Sequence, residues 1–130
     1  MASITQEKLE QIRSLLDARE QELVTDVKRE QDQKSSHADV AATAPDPGDN
    51  AFADLTTDLE NAAIDRDMLE LKAIARARDR LDSGSYGTCI DCSEPIPLAR
   101  LFAQPIAVRC ARCQEIFEKS HPDAGRGASL

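Results

Sequence analysis

Four cysteines constrain this chain more tightly than anything else in it. They stand as Cys89-Ile-Asp-Cys92 and, 17 residues later, Cys110-Ala-Arg-Cys113. Two residues between cysteines let both thiolates of a knuckle reach one ion, and two knuckles complete a tetrahedron. A separation of about 15–20 residues between two such pairs is the spacing of a structural zinc site. Gly87, just before the first pair, suits the tight backbone of a knuckle. Four thiolates leave no coordination position open, so this metal would organise the fold and not hydrolyse a substrate. Arg109 and Arg112 are placed to offset part of the negative charge of the cluster. Iron has the same ligand preference, so spacing alone does not separate it from zinc, although availability favours zinc. Two disulfides or a thiol redox centre are the competing uses of these cysteines. Disulfides are seldom kept in the cytosol, and a thioredoxin-like centre needs a βαβ scaffold that this region lacks.

The segment between the knuckles carries Pro95, Pro97 and Pro105, which limit it to short pieces. Its apolar residues Ile96, Leu98, Leu101, Phe102, Ile106 and Val108 are expected to cover the metal and dock it on neighbouring helices. After Cys113 a short helix is expected, with Ile116 and Phe117 packed inward and Pro122 ending it; the tail 122–130 is expected to be disordered.

The rest of the chain is helical in pattern. From Gln6 to about Ser36 there is no glycine or proline, and Leu9, Ile12, Leu16, Leu23 and Val27 keep the 3, 4 and 7 spacing of one helical stripe. Pro45, Pro47 and Gly48 then interrupt, among Asp46, Asp49 and Asn50, which favour turns and caps. A second helical pattern begins near Ala51. Phe52, Leu55, Leu59, Ala62, Arg66, Leu69 and Ala73 step by 3 and 4 as a heptad seam, continued through Ile74, Ala77 and Leu81. Gly84 can terminate it. Two helices of similar length joined by a short turn predict an antiparallel hairpin. The predicted fold is therefore mainly α: a two-helix coiled-coil hairpin over 6–82 with its tip at about 44–51, and a four-cysteine zinc-finger head over 83–121.

Composition excludes several other functions. With one Tyr, three Phe and no Trp among 130 residues, an aromatic-lined ligand pocket is not expected. The chain carries 24 acids against 16 bases, a net charge of −8 that argues against simple coating of nucleic acid. Residues 1–50 contribute 11 acids and 6 bases, residues 51–82 contribute 8 and 5, and residues 83–130 contribute 5 of each. The head is thus neutral. Between 39 and 60 lie Asp39, Asp46, Asp49, Asp54, Asp58 and Glu60 with no base among them: a solvated loop, or an acidic tip built to meet something positive. No apolar run approaches the ~18 residues of a membrane span, and the N-terminus is unlike a signal peptide, so a cytoplasmic protein is expected. His37 and His121 sit in polar surroundings, and no phosphate loop, nucleophile elbow or zinc-protease motif is present. No catalytic role is expected.

These features together resemble the DksA/TraR family of bacterial regulators. The likeness rests on Tyr86-Gly87-x-Cys89-x-x-Cys92, then Ile96, Arg100-Leu101, Ala103, Pro105, Ala107 and Cys110-x-x-Cys113. A second match is Asp46-Pro47-Gly48-Asp49-Asn50-Ala51, similar to the Asp-x-x-Asp-x-Ala of the family's coiled-coil tip. The resemblance implies a transcription factor that binds RNA polymerase through its secondary channel. By that likeness Asp46, Asp49 and Ala51 would act near the catalytic centre, and Asp65-Arg66 would touch the channel rim. It also implies a monomer with one structural Zn²⁺ and no direct contact with DNA or membrane. Members that respond to ppGpp use basic residues where this chain has Ala73, Gln104 and Gln114, so a weak or missing ppGpp contact is expected. The alternatives are a zinc ribbon that binds nucleic acid through Arg100, Arg109, Arg112 and Lys119, and a thiol-based redox adaptor.

Overall fold

The computed structural model describes residues 4–42 and 47–122, with the side chains of 37–42 and 47–50 left out of that description. Four helices follow in order: α1 (Gln6–Ala42), α2 (Pro47–Ser83), α3 (Leu98–Ala103) and α4 (Ala111–Ser120). Among the described residues the only β pairing is an isolated antiparallel bridge between Thr88 and Pro95, and no helix is long and apolar enough to cross a membrane.

α1 and α2 have 37 residues each, longer at both inner ends than the sequence pattern predicts. α1 runs on past Ser36, and α2 opens at Pro47 instead of near Ala51. Proline is well suited to the first position of a helix, because its missing N–H would have no partner there and its fixed φ is already helical. Pro47 therefore begins a helix where composition alone predicts a break. Thr5 caps α1, its hydroxyl accepting from the Lys8 N–H at 3.3 Å. α2 stops at Gly84, which takes φ +80°. The Ser85 N–H then reaches back to the Arg80 carbonyl at 3.0 Å, the six-to-one bond of a glycine-terminated helix.

The chain divides into two compact units, a terminal one (Met1–Glu20 with Leu69–Leu130) and a middle one (Gln21–Met68). In the terminal unit the two helices are antiparallel. Arg13 meets Asp82 at 3.1 Å, Arg19 grips Glu70 with two bonds of 2.6 and 3.0 Å, and Arg78 holds both Asp17 and Glu20. Ile12, Leu16, Ile74, Ala77 and Leu81 are buried between them, and Tyr86, Cys89, Ile96, Leu101 and Ala107 extend this core into the head. In the middle unit Leu23, Val27 and the carboxylate-bearing Asp67 are buried.

α1 keeps the stripe its sequence predicts. The α2 seam is rotated from the predicted one. One line of buried or half-buried positions runs through Ala53, Thr56, Glu60, Ala63, Asp67, Glu70, Ile74, Ala77 and Leu81, a strict alternation of 3 and 4, with Thr57, Asn61, Ile64, Leu71 and Ala73 half-buried beside it. Phe52, Leu55, Leu59, Ala62, Arg66 and Leu69 all lie exposed one position away. A strict 3–4 alternation has a period of about 3.5 residues, the repeat of a left-handed coiled coil, and a seam through Ile74, Ala77 and Leu81 that keeps this repeat lands on the polar set.

Candidate metal centre

The first knuckle is a tight turn that closes on itself. The Cys89 N–H donates to the Glu94 carbonyl at 2.9 Å, the Ser93 N–H to the Cys89 carbonyl at 3.0 Å, and the Ile96 N–H to the Gly87 carbonyl at 2.7 Å. Gly87 has φ +88°, a conformation that requires glycine, and a Cβ there would also displace the end of the Ile4 side chain, 2.6 Å away. The second knuckle is built on a helix start. Cys110 precedes α4, and Cys113 lies in its first turn. The Ile90 N–H donates to the Val108 carbonyl at 3.0 Å, which fastens one knuckle to the other.

The four Sγ atoms lie within 4.8 Å of one another, with Cys92 and Cys110 at 3.9 Å. A tetrahedral Zn²⁺ with Zn–S bonds of about 2.3 Å sets its sulfurs about 3.8 Å apart, whereas a disulfide draws two sulfurs to about 2.05 Å. All four cysteines are free. The donor set and its spacing therefore fit one zinc ion.

The electrostatics fit as well. Burial opposes ionisation of Cys89, but backbone hydrogen bonds from Cys92, Cys110 and Asp91 outweigh it and bring the pKa down to about 6. Hydrogen bonding to Cys110 and burial push Cys113 up to about 12, and Cys92 is also raised. Four neighbouring sulfurs do not all ionise on their own, and a divalent cation that displaces their protons removes the conflict. The bound ion supplies cross-linking of the two knuckles and no open position for chemistry.

The cations around the cluster are only partly those expected from sequence. Arg109 pairs with Asp91 at 2.8 Å and lies 3.9 Å over the Phe117 ring, and Arg100 donates to its carbonyl at 3.0 Å. Arg112 is exposed. Arg80, in the last turn of α2, escaped the sequence argument. Its guanidinium donates to the Thr88 carbonyl at 2.6 Å, one residue before the first ligand. Burial lowers its pKa, while Tyr86 and Cys89 pull the other way. The Tyr86 hydroxyl donates to the Pro105 carbonyl at 2.7 Å, and burial pushes its pKa up. These two residues join the helix end, the first knuckle and the segment between the knuckles. A basic residue four positions before a helix-ending glycine is the one signal that could have drawn attention to Arg80.

Helix α4 differs in one respect from expectation. Gln114 is buried and Phe117 half-buried, but Ile116 is 54% exposed, because the face carrying residues 114 and 117 turns toward the head. His121 stacks on Phe117 at 4.4 Å.

Residues 84–119 match the family model of the prokaryotic dksA/traR C4-type zinc finger. This segment of the chain is a zinc finger of the DksA/TraR type. It is 37% identical over 89 residues to the RNA polymerase-binding transcription factor DksA of Caulobacter vibrioides, covering 68% of this chain and 58% of that protein. Over 115 residues it is 29% identical to the DksA of Haemophilus influenzae, covering 88% of this chain and 77% of the relative. The structure of transcription factor DksA2 from Pseudomonas aeruginosa superposes with a TM-score of 0.76 at 27% identity, covering 90% of this chain and 88% of that one. The zinc-finger match makes the four-cysteine cluster a structural zinc site of the C4 type.

The other predicted residues are dispersed. Asp46 and the tail beyond Pro122 lie outside the described residues, and Asp49 is described only as part of the α2 backbone. Ala51 is exposed in the second turn of α2. Asp65 and Arg66 are exposed farther along it, with Arg66 3.6 Å from Asp67. His37 has no described side chain.

Proposed function

We propose that this chain is a bacterial transcription regulator that binds RNA polymerase and acts through the polymerase secondary channel. The observation that carries the proposal is the joining of a C4 zinc head to an antiparallel helix pair, a fold shared with transcription factor DksA2, in a chain whose sequence relatives are named RNA polymerase-binding transcription factors. In this reading the helical hairpin spans 6–82 and the zinc head 83–121. The Asp46, Asp49 and Ala51 tip acts near the catalytic centre, and Asp65 and Arg66 meet the channel rim. Steering supports the division of labour. Residues 39–60 hold six acids and no base, so this stretch is drawn to a channel lined with cations and repelled by DNA.

The protein works as a cytoplasmic monomer and is not an enzyme. Its contact with ppGpp is weak or missing. Ala73 and Gln104 carry no charge to pair with a phosphate, and Gln114 is buried with its amide donating to Glu118 at 3.2 Å. Direct nucleic-acid binding through the head is disfavoured, because Arg109 is already committed to Asp91 and Phe117.

The test is capture of core RNA polymerase by the full chain, with a second secondary-channel protein as competitor. Competition is expected. Asp46→Asn with Asp49→Asn should keep binding and lose the effect on promoter transcription. Binding that survives an excess of competitor would remove the channel from the proposal.

A further inference from the structure

In the middle unit the first turns of α2 place Phe52, Leu55 and Leu59 in the reverse of the way a self-sufficient hairpin does. Thr56 and Glu60 are half-buried and Asp67 buried on the inward line of α2, and the Thr56 hydroxyl is satisfied by its own helix, donating to the Phe52 carbonyl at 3.0 Å. Three large apolar side chains of the same stretch face outward, Phe52 being 72% exposed, Leu55 57% and Leu59 65%, while Ile64 is half-buried. They step by 3 and 4, so they form one continuous stripe on one helix face. An aromatic and two leucines on solvent, beside polar inward positions, weaken the isolated pair and are the composition of a protein-docking surface.

The surroundings of the stripe specify its occupant. Asp54 and Asp58 stand exposed beside it, and no Lys or Arg occurs between Lys34 and Arg66. A second copy of this chain, docked stripe to stripe, would set acid against acid. A membrane with anionic headgroups is repelled in the same way. The charge-complementary occupant is an apolar wall rimmed by cations. The stripe also begins three residues after Asp49, on the same helix. We infer that Phe52, Leu55 and Leu59 form an apolar docking stripe that packs against a cation-rimmed wall of RNA polymerase. This rests on the polymerase-binding proposal above and adds a contact that supplies affinity, distinct from the aspartates that supply the effect.

The test uses the full-length chain, zinc-loaded, and purified bacterial core RNA polymerase. Phe52→Gln/Leu55→Gln/Leu59→Gln keeps good helix formers at exposed positions, so unchanged circular dichroism and zinc content are expected. Its Kd for core polymerase should weaken by about tenfold or more, since well-buried interface anchors each carry that order of effect. The ratio of mutant to wild-type Kd should hold between low and high salt, because apolar contact is not screened. A triple variant that binds like wild type overturns the inference while leaving the polymerase reading intact. Wild type that fails to bind core polymerase overturns both. Wild type that sediments as a dimer, with the triple variant monomeric, gives the stripe to a second copy and overturns the polymerase assignment. If the triple variant loses helicity, p-benzoylphenylalanine at position 55 decides: it should cross-link to polymerase, and the same group at exposed position 76 should not. Equal cross-linking from both positions overturns the proposal.

Discussion

The terminal and middle units are made from the same two helices and differ in what they keep inside. In the terminal unit Ile12, Leu16, Ile74, Ala77 and Leu81 are buried, and Arg78 and Arg19 tie the helices at the margins. In the middle unit only Leu23 and Val27 are buried apolar side chains among the described residues, and they share the interior with Asp67. Glu30 reaches this carboxylate, and its pKa is raised by burial and by the hydrogen bond and charge of Asp67. One unit is organised to hold a metal-stapled fold together. The other leaves Phe52, Leu55 and Leu59 outside and an acid pair within, which is a poor recipe for stability and a reasonable one for meeting a partner.

Removing the metal should produce the widest separation between the units. Structural zinc sites in small domains contribute on the order of 10 kcal/mol of binding free energy that is also folding free energy. Chelation, or Cys110→Ser, is expected to melt the head while the helices keep most of their far-ultraviolet signal. Zinc release followed by a thiol-free metal indicator, alongside thermal melting, measures both. Apparent zinc affinity should fall as pH drops, because protons on Cys92 and Cys113, whose pKa values are raised, compete with the ion. An unchanged melting profile after complete zinc removal would break the comparison at its strongest point.

Core truncation should sort the two sets of apolar residues. Ile74→Ala removes a fully buried side chain and should cost about 2–5 kcal/mol. Leu55→Ala removes an exposed one and should stay within about 0.5 kcal/mol. Denaturant unfolding followed by circular dichroism reads both, and equal losses would mean that the outward stripe is packed in the free protein.

The smallest effect concerns Glu30. A carboxyl whose pKa is higher in the folded than in the unfolded state binds more protons when folded. It therefore destabilises above the ordinary carboxylate range and ceases to do so as pH falls through that range. Glu30→Gln should stabilise the middle unit by a few tenths of a kcal/mol at pH 7, a size set by solvent screening, and by nothing once Glu30 is protonated. Hydrogen exchange of α1 amides near residue 30 at two pH values checks this. Greater protection at pH 7 than in mild acid in the unmodified protein would reverse the sign and remove the acid pair from the explanation.

The metal site was legible because its information is local. Two thiolates spaced for one ion constrain a turn whatever surrounds it, and a fixed gap between two such turns specifies the second half. The helices were legible for a related reason: long stretches without glycine or proline, with an apolar period in α1, have few alternatives. Pro47 was read as a break because composition does not say whether a proline stands inside a helix or at its first position. Arg80 was missed because its role depends on Thr88 and Cys89 arriving beside it, and Ile116 was misplaced because a short amphipathic pattern leaves the rotation of the helix open.

Sequence alone determined that this chain has two long helices, a polar interruption rich in acids and a four-thiolate head. Tertiary structure decided which face of α2 points inward. Phe52, Leu55, Leu59, Ala62, Leu69 and Ala73 make a heptad pattern on paper in which Arg66 is the one charged member, and the positions one residue later keep the same spacing with mostly polar residues. The choice falls where Ile74, Ala77 and Leu81 are buried against α1 and the head. The buried line keeps the repeat of a coiled coil, about 3.5 residues, from that end, and the richer apolar pattern is carried to the outside.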